Sequence, residues 1–309
     1  MSTATNDLPN SSTDSRSEPA AVSVTRLFYW CVRRELWEHR SIYIAPLSVA
    51  ALILAGFLIS TVRLAEKMRA NLALPPMEQS EAIQQHYTVA AMLLMATFFL
   101  VALFYSLDAL YGERRDRSIL FWKSMPVSDV VSVLAKASIP ILVIPTFTVA
   151  ITVATQLIMA LVSTLVLVAS GMNPGVLWSH LPLAPMALML LDHLVGMHGL
   201  WYAPIYCWLL LVSAWARRAP VLWAVLPLLA VGIVEKIAFG TSYLSAMLRY
   251  RATGGPEGMA FDAGSMSTDT LAKLNPIHFL FSPGMWIGFA VGAAFLAGAI
   301  RLRRYRGTM

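Results

Sequence analysis

The chain has 309 residues, 58% of them hydrophobic and only 13% charged, with a net charge of +6 and a mean hydropathy of +0.65. A soluble domain carries roughly 25% charged residues, so this chain lacks the polar coat that a water-exposed surface of its size needs. The apolar runs are long and unbroken rather than alternating in segments of about ten residues, which excludes a membrane β-barrel and leaves helices as the way to satisfy the backbone in lipid.

Residues 1–21 are rich in Ser, Thr, Asn and Pro without an apolar run, which predicts a disordered tail and no signal peptide. Residues 22–32 place Val24, Leu27, Phe28 and Cys31 on one helical face opposite Arg26 and Arg33, with Trp30 and Trp37 toward the basic side. That pattern predicts an interfacial amphipathic helix. It fails after residue 32, where Glu35, Glu38 and His39 turn onto the apolar face. Cys31 and Cys207 are expected to be reduced thiols rather than a disulfide framework.

Six spans follow, at about 41–63, 87–109, 138–169, 199–216, 219–239 and 284–302. No charge occurs from Ala137 to Ser179, yet no Gly, Pro or Asn lies between 146 and 169 to form a hairpin, so this stretch reads as one helix. The segment 181–191 is apolar but short and ends at Asp192 and His193. It is expected to be interfacial or re-entrant, because a seventh span would place Arg217, Arg218 and the basic tail outside. With six spans and both termini cytoplasmic, sixteen of the 23 Lys and Arg residues fall inside, as the positive-inside rule requires. The basic balance then meets anionic lipid and calls for no nucleic-acid partner.

The loop after the second span carries the strongest signal: YGERRDRSILFWKSMPVSD, residues 111–129. Dense mixed charge (Glu113, Arg114, Arg115, Asp116, Arg117) precedes Leu120, Phe121 and Trp122, and Pro126 ends the segment. An apolar patch with a charged rim suits a groove on another protein, and Ser128 is placed to cap the next helix. This loop resembles the first cytoplasmic loop of ABC-type export permeases of the second class, the bacterial six-helix membrane subunits. Glu113 stands at the acidic position, Ser118 at a Thr position, Leu120 at a Leu position, and Pro126, Val127 and Ser128 match the Pro-Val-Ser ending. Arg117 stands where the family has Gly. The six spans, the amphipathic N-terminal helix, the long loop 240–283 and the basic tail resemble the family in layout.

The resemblance implies that this loop is a coupling helix, that a separate cytoplasmic ATPase binds ATP and Mg, that a second permease copy or related permease completes the path, and that the chain resides in a bacterial inner membrane. The chain has no G-x-x-x-x-G-K-[ST] phosphate loop and is not expected to be an enzyme or to bind a cofactor itself. The alternative is a scaffold or sensor subunit that does not transport.

Three further features have two readings each or none. Glu235 and Lys236 near the end of the fifth span pair at the rim or form a gate on the pathway. Gly284, Gly288 and Gly292 repeat every four residues, which suits packing within the chain or a dimer seam. His180, Asp192, His193 and His198 lack the spacing of a metal site.

Overall fold

The computed structural model describes residues 23–124, 127–253 and 282–305. The expected disordered tail, Pro126, most of the long loop after the fifth span and the last four residues lie outside the described residues. Every element is helical. The chain runs α1 (Val24–Glu38), α2 (Ser41–Ser60), a 3₁₀ turn, α3 (Leu64–Leu72), α4 (Pro76–Asp108), α5 (Tyr111–Arg115), α6 (Ile119–Ser124), α7 (Asp129–Ser138) and α8 (Ile144–Ala169). After these come α9 (Gly175–His180), α10 (Leu183–Asp192), α11 (Ala203–Trp215), α12 (Pro220–Phe239), α13 (Tyr243–Thr253) and α14 (Pro283–Tyr305).

Local chemistry explains the boundaries. The Ser128 side chain accepts from the Val131 amide at 3.3 Å and starts α7, and Pro76 opens α4, where its missing N–H costs nothing. Pro140 interrupts the hydrogen-bond ladder between α7 and α8, and the chain passes it through a π-helical stretch, Ile139–Val143. Nothing breaks α8 until Gly171, whose φ of +72° suits a residue without a Cβ.

Among the described residues six stretches are long and apolar enough to cross a bilayer: Ser41–Leu72, Glu78–Arg115, Asp129–Ala169, Gly175–Asp192, Pro220–Phe239 and Pro283–Tyr305. The polarity of α8 is inverted relative to a soluble helix. Thr148, Thr152, Thr155, Gln156 and Ser163 are buried, while Leu157, Leu161 and Leu165 face outward. Where the outer medium is hydrocarbon, small polar residues gain most between helices and leucines gain most on the outside. Two such bonds join α8 to α4: Gln156 Nε2 donates to the Tyr87 carbonyl at 3.2 Å, and the Tyr87 and Ser163 hydroxyls lie 3.2 Å apart. The chain is a multi-pass integral membrane protein.

The fourth crossing corrects the expected 199–216. Helices α10 and α11 are joined by a π-helical segment, His193–Trp201, so the chain stays helical from 183 to 215 apart from a turn at Tyr202. Leu181 and Met186 pack with Phe57, Met159 and Leu167 at one end of the bundle. Tyr206 and Leu210 pack with Ile42, Tyr105 and Ile139 at the other. The segment 181–215 therefore traverses the bundle once, and 181–191 is its first part. Asp192 and His193 interrupt the apolar pattern without ending the helix. The count of six crossings stands because the stretch at 175–192 and the short helix α11 belong to the same passage.

Helix α12 is the outlier: only Ala224 is buried along its length. It touches the bundle through the Trp208 indole N–H, which donates to the Ala224 carbonyl at 3.2 Å, and through the Trp215 and Trp223 rings. The two π-helical segments meet backbone to backbone. A Cβ on Gly199 would lie 2.4 Å from the Ile141 carbonyl oxygen. Backbone cannot move aside as a flexible side chain can, so Gly199→Ala should lower stability by about 1–3 kcal/mol, read as a fall in thermal midpoint in detergent; an unchanged midpoint would remove this contact from the account.

Candidate functional site

The charged loop is rooted in a buried ion cluster. Four cluster residues, Glu35 on α1, Glu113 on α5, Lys136 on α7 and Arg303 on α14, are each no more than 5% exposed. Lys136 Nζ lies 2.8 Å from Glu35 Oε1 and 3.2 Å from Glu113 Oε1. Arg303 pairs through Nη1 with Glu113 Oε2 and through Nε with Asp129 Oδ1 at 3.1 Å. Arg34 reaches Glu113 Oε1 at 3.0 Å, and the Tyr105 hydroxyl donates to Glu35 Oε2 at 2.9 Å. Glu35, Glu113 and Asp129 face Lys136, Arg303 and Arg34, and the exposed Glu38 is a further partner of Arg34 at 3.0 Å, so the buried charges are paired while largely out of water. Charges in such a place are tolerable only when paired and hydrogen-bonded.

Helix α1 brings Glu35 into the cluster. Its inward face carries Leu27, Phe28, Cys31, Val32 and Leu36, with Glu35 on the same side. Burial pushes the Cys31 thiol up. The outward face holds the Arg33 guanidinium between the Trp30 and Trp37 rings, at 5.2 and 5.5 Å. Arg303 arrives on α14 from the same side as Gly288, Gly292 and Ala299, all buried.

Arg114 holds the loop to the fourth crossing. Its Nη2 donates to the Ser213 and Ala216 carbonyls, both at 2.7 Å, satisfying orphan acceptors at the end of α11. In return the Ser213 hydroxyl accepts from the Leu110 and Tyr111 amides, at 3.0 and 2.9 Å, where the backbone breaks between α4 and α5.

The expected docking residues therefore divide. Glu113 and Arg114 are buried, which corrects their assignment to a docking surface: both are consumed inside the protein, as ion-pair partner and helix cap. Arg115, Asp116, Arg117 and Leu120 are exposed, Leu120 at 61%. Ile119, 2% exposed, pins α6 beneath them. Phe121 and Trp122 lie on α6, though the description of their side chains falls outside the described residues, as does Pro126. A hydrogen bond from Arg115 at 2.9 Å holds the Asp116 carboxyl below its ordinary range. Arg117 has a φ of +58°, in the left-handed region that Gly adopts without steric cost.

The remaining expected sites lie elsewhere. Glu235 accepts from the Tyr243 and Leu244 amides and the Thr241 hydroxyl, so it caps the first turn of α13. Lys236 beside it is exposed. The glycine stripe is filled from within the chain: a Cβ on Gly284 would meet Tyr250, one on Gly288 would meet Arg251, and one on Gly292 would meet Cys207 and Pro204. Among the described residues no group of His, Cys, Asp and Glu could hold a metal ion.

Glu35, Lys136, Arg303, Arg34 and Asp129 were not legible as a site. Two signals were present: Glu35 spoiling an otherwise apolar face, and Lys136 standing directly before the long uncharged run. No protein-family model, curated protein or solved structure matches this chain.

Two outcomes follow from the cluster. Lys136→Met should destabilise the protein by about 3–5 kcal/mol because it strands buried carboxylates, whereas Glu35→Leu combined with Lys136→Met should recover much of that loss; thermal unfolding of the purified variants checks both. Arg117→Gly should raise stability by up to about 1–2 kcal/mol by relieving the left-handed backbone, seen as a higher midpoint in the same assay.

Proposed function

We propose that this chain is the permease subunit of an ATP-driven exporter in a bacterial inner membrane, with both termini and the ion cluster on the cytoplasmic side. A separate cytoplasmic ATPase docks on the α5–α6 loop and carries the ATP and Mg. A second permease copy, or a related permease, completes the path.

One observation carries this reading. A tip with Arg115, Asp116, Arg117 and Leu120 exposed is rooted by buried ion pairs and hydrogen bonds onto α1, α7, α11 and α14. A connecting loop has no need of that attachment. A loop that receives force does, because a push on Leu120 then reaches the ends of four other helices as a rigid-body displacement. The basic end of the bundle also holds Arg34, Arg114, Arg115, Lys136 and Arg303, the distribution expected of a cytoplasmic face. The amphipathic face of α1, with Arg33 between two exposed indoles, suits the headgroup region on that side.

The residues that transmit and the residues that dock are distinct, which sets the test. Leu120→Asp with Arg117→Glu changes only exposed positions. It should leave the thermal midpoint within about 1 °C, since surface changes away from buried features cost little. The same variant should lose at least about tenfold of its co-purification with the ATPase, equivalent to 1.4 kcal/mol. Full retention of the ATPase would contradict the docking assignment.

A further inference from the structure

The hairpin of α12 and α13 lays a half-buried arginine against α14. Glu235 fixes the turn, and α13 then runs back alongside α12 from Tyr243. At about 1.5 Å per residue, Arg251 lies roughly 12 Å below that turn. It meets α14 at Gly284 and Gly288. Gly288 is in turn about 22 Å along α14 from Arg303 and the ion cluster. Arg251 thus lies between the α12–α13 turn and the ion cluster, half-buried at the contact of α13 with α14.

The surroundings are built for a guanidinium. Its carbon lies 4.4 Å from the ring of Trp201, which is fully buried. Nη1 donates to the Gly284 carbonyl at 3.2 Å. A Cβ on Gly288 would fall 1.4 Å from Nη2, so the missing side chain is what leaves room for the group. The end of α13 is held separately: the Trp201 indole N–H donates to the Arg251 carbonyl and the Tyr202 hydroxyl to the Ala252 carbonyl, each at 2.8 Å. The helix is thus tethered through its backbone, and the guanidinium is not needed for that purpose. Among the described residues no carboxylate pairs with it, unlike Arg34 and Arg303 in the cluster. Ionisable residues inside membrane bundles are costly, pair with one another or with backbone carbonyls, and mark substrate or ion pathways.

One turn along α13 from Arg251, α12 and α13 flank a mainly apolar groove of about 570 Å³, lined by Leu229, Ile233, Leu244 and Leu248, with Glu235 and Lys236 at its turn end. Leu244, Leu248 and Arg251 follow the i, i+4, i+7 spacing, so the groove wall and the cation share one face of α13. A hydrated free anion would lose water there and gain nothing from the leucines. An amphiphile gains from both.

We propose that Arg251 is a recognition site for the phosphate or carboxylate group of an anionic amphiphile, whose apolar part lies against the α12–α13 groove. This deepens the exporter reading by naming a cargo class, and it rests on that reading only for the word cargo. Binding is measured without the ATPase, so failure here and failure of the coupling assignment are separate results.

The probe is dodecyl phosphate, added to the full chain purified in a neutral maltoside detergent, with inorganic phosphate and zwitterionic dodecylphosphocholine in parallel. The expected result is a saturable rise in thermal midpoint of about 3 °C or more with dodecyl phosphate alone. Arg251→Met should abolish the rise. Arg251→Lys, which keeps the charge and loses the planar fork, should weaken the apparent affinity severalfold and serves as the test should the Met variant not fold. A response unchanged in the Lys variant, a Met variant that responds as the parent does, or an equal rise with dodecylphosphocholine overturns the assignment. An equal rise with inorganic phosphate overturns the amphiphile and leaves a bare anion site.

Discussion

The pairing of Glu113 with Lys136, Arg303 and Arg34 is the constraint from which the basic end of the molecule is organised. Glu113 lies on a five-residue helix that Arg114 fastens to α11. Its carboxylate is held where three cations from three other helices converge on it. Lys136 is shared with Glu35, which draws α1 against α7. Arg303 is shared with Asp129, which draws α14 onto the same helix. Such a cluster is weak evidence for net stability, since apolar residues of similar volume often do as well. Its value lies in geometry: each charge specifies where its partner helix must end.

The rest of the bundle follows membrane rules. On α8 threonine, glutamine and serine side chains are buried beside Met159, Ala160 and Leu167, while Leu157, Leu161 and Leu165 face outward. Two π-helical segments cross at Gly199, where backbone meets backbone. Such local departures from regular helix are tolerated at membrane depth only where they are buried in protein. Helix α12 stands apart with almost all of its surface outward, and its hairpin partner α13 touches the bundle at Arg251 and Ala252.

Much of this was legible in the sequence and some was not, for reasons that can be named. The unbroken helix over 146–169 was legible because no turn-forming residue lies within it. The cap at Ser128 was legible from its place before Asp129 and the apolar run. The fourth crossing was misplaced because Asp192 and His193 look like an end when apolar residues are counted. A long helical run crossing among other helices can carry both. Glu113 was legible as a position of importance, but its burial was not. A charged loop read alone has no knowledge of Lys136 or Arg303, which are 23 and 190 residues away. The glycines at 284, 288 and 292 announced close packing, while their partner Arg251 lay on a segment that sequence alone leaves in an external loop. Glu35 was visible only as a fault in an amphipathic pattern, and that fault was the trace of the ion cluster.

The central claim is that this bundle receives force from a separate ATPase. It is tested most directly by identifying what accompanies the intact chain when it is extracted from native membranes in mild detergent, with mass spectrometry as the readout. The account predicts a cytoplasmic protein in fixed stoichiometry whose sequence contains a phosphate-loop ATPase motif. A folded, intact chain that repeatedly comes out with no such partner would contradict it.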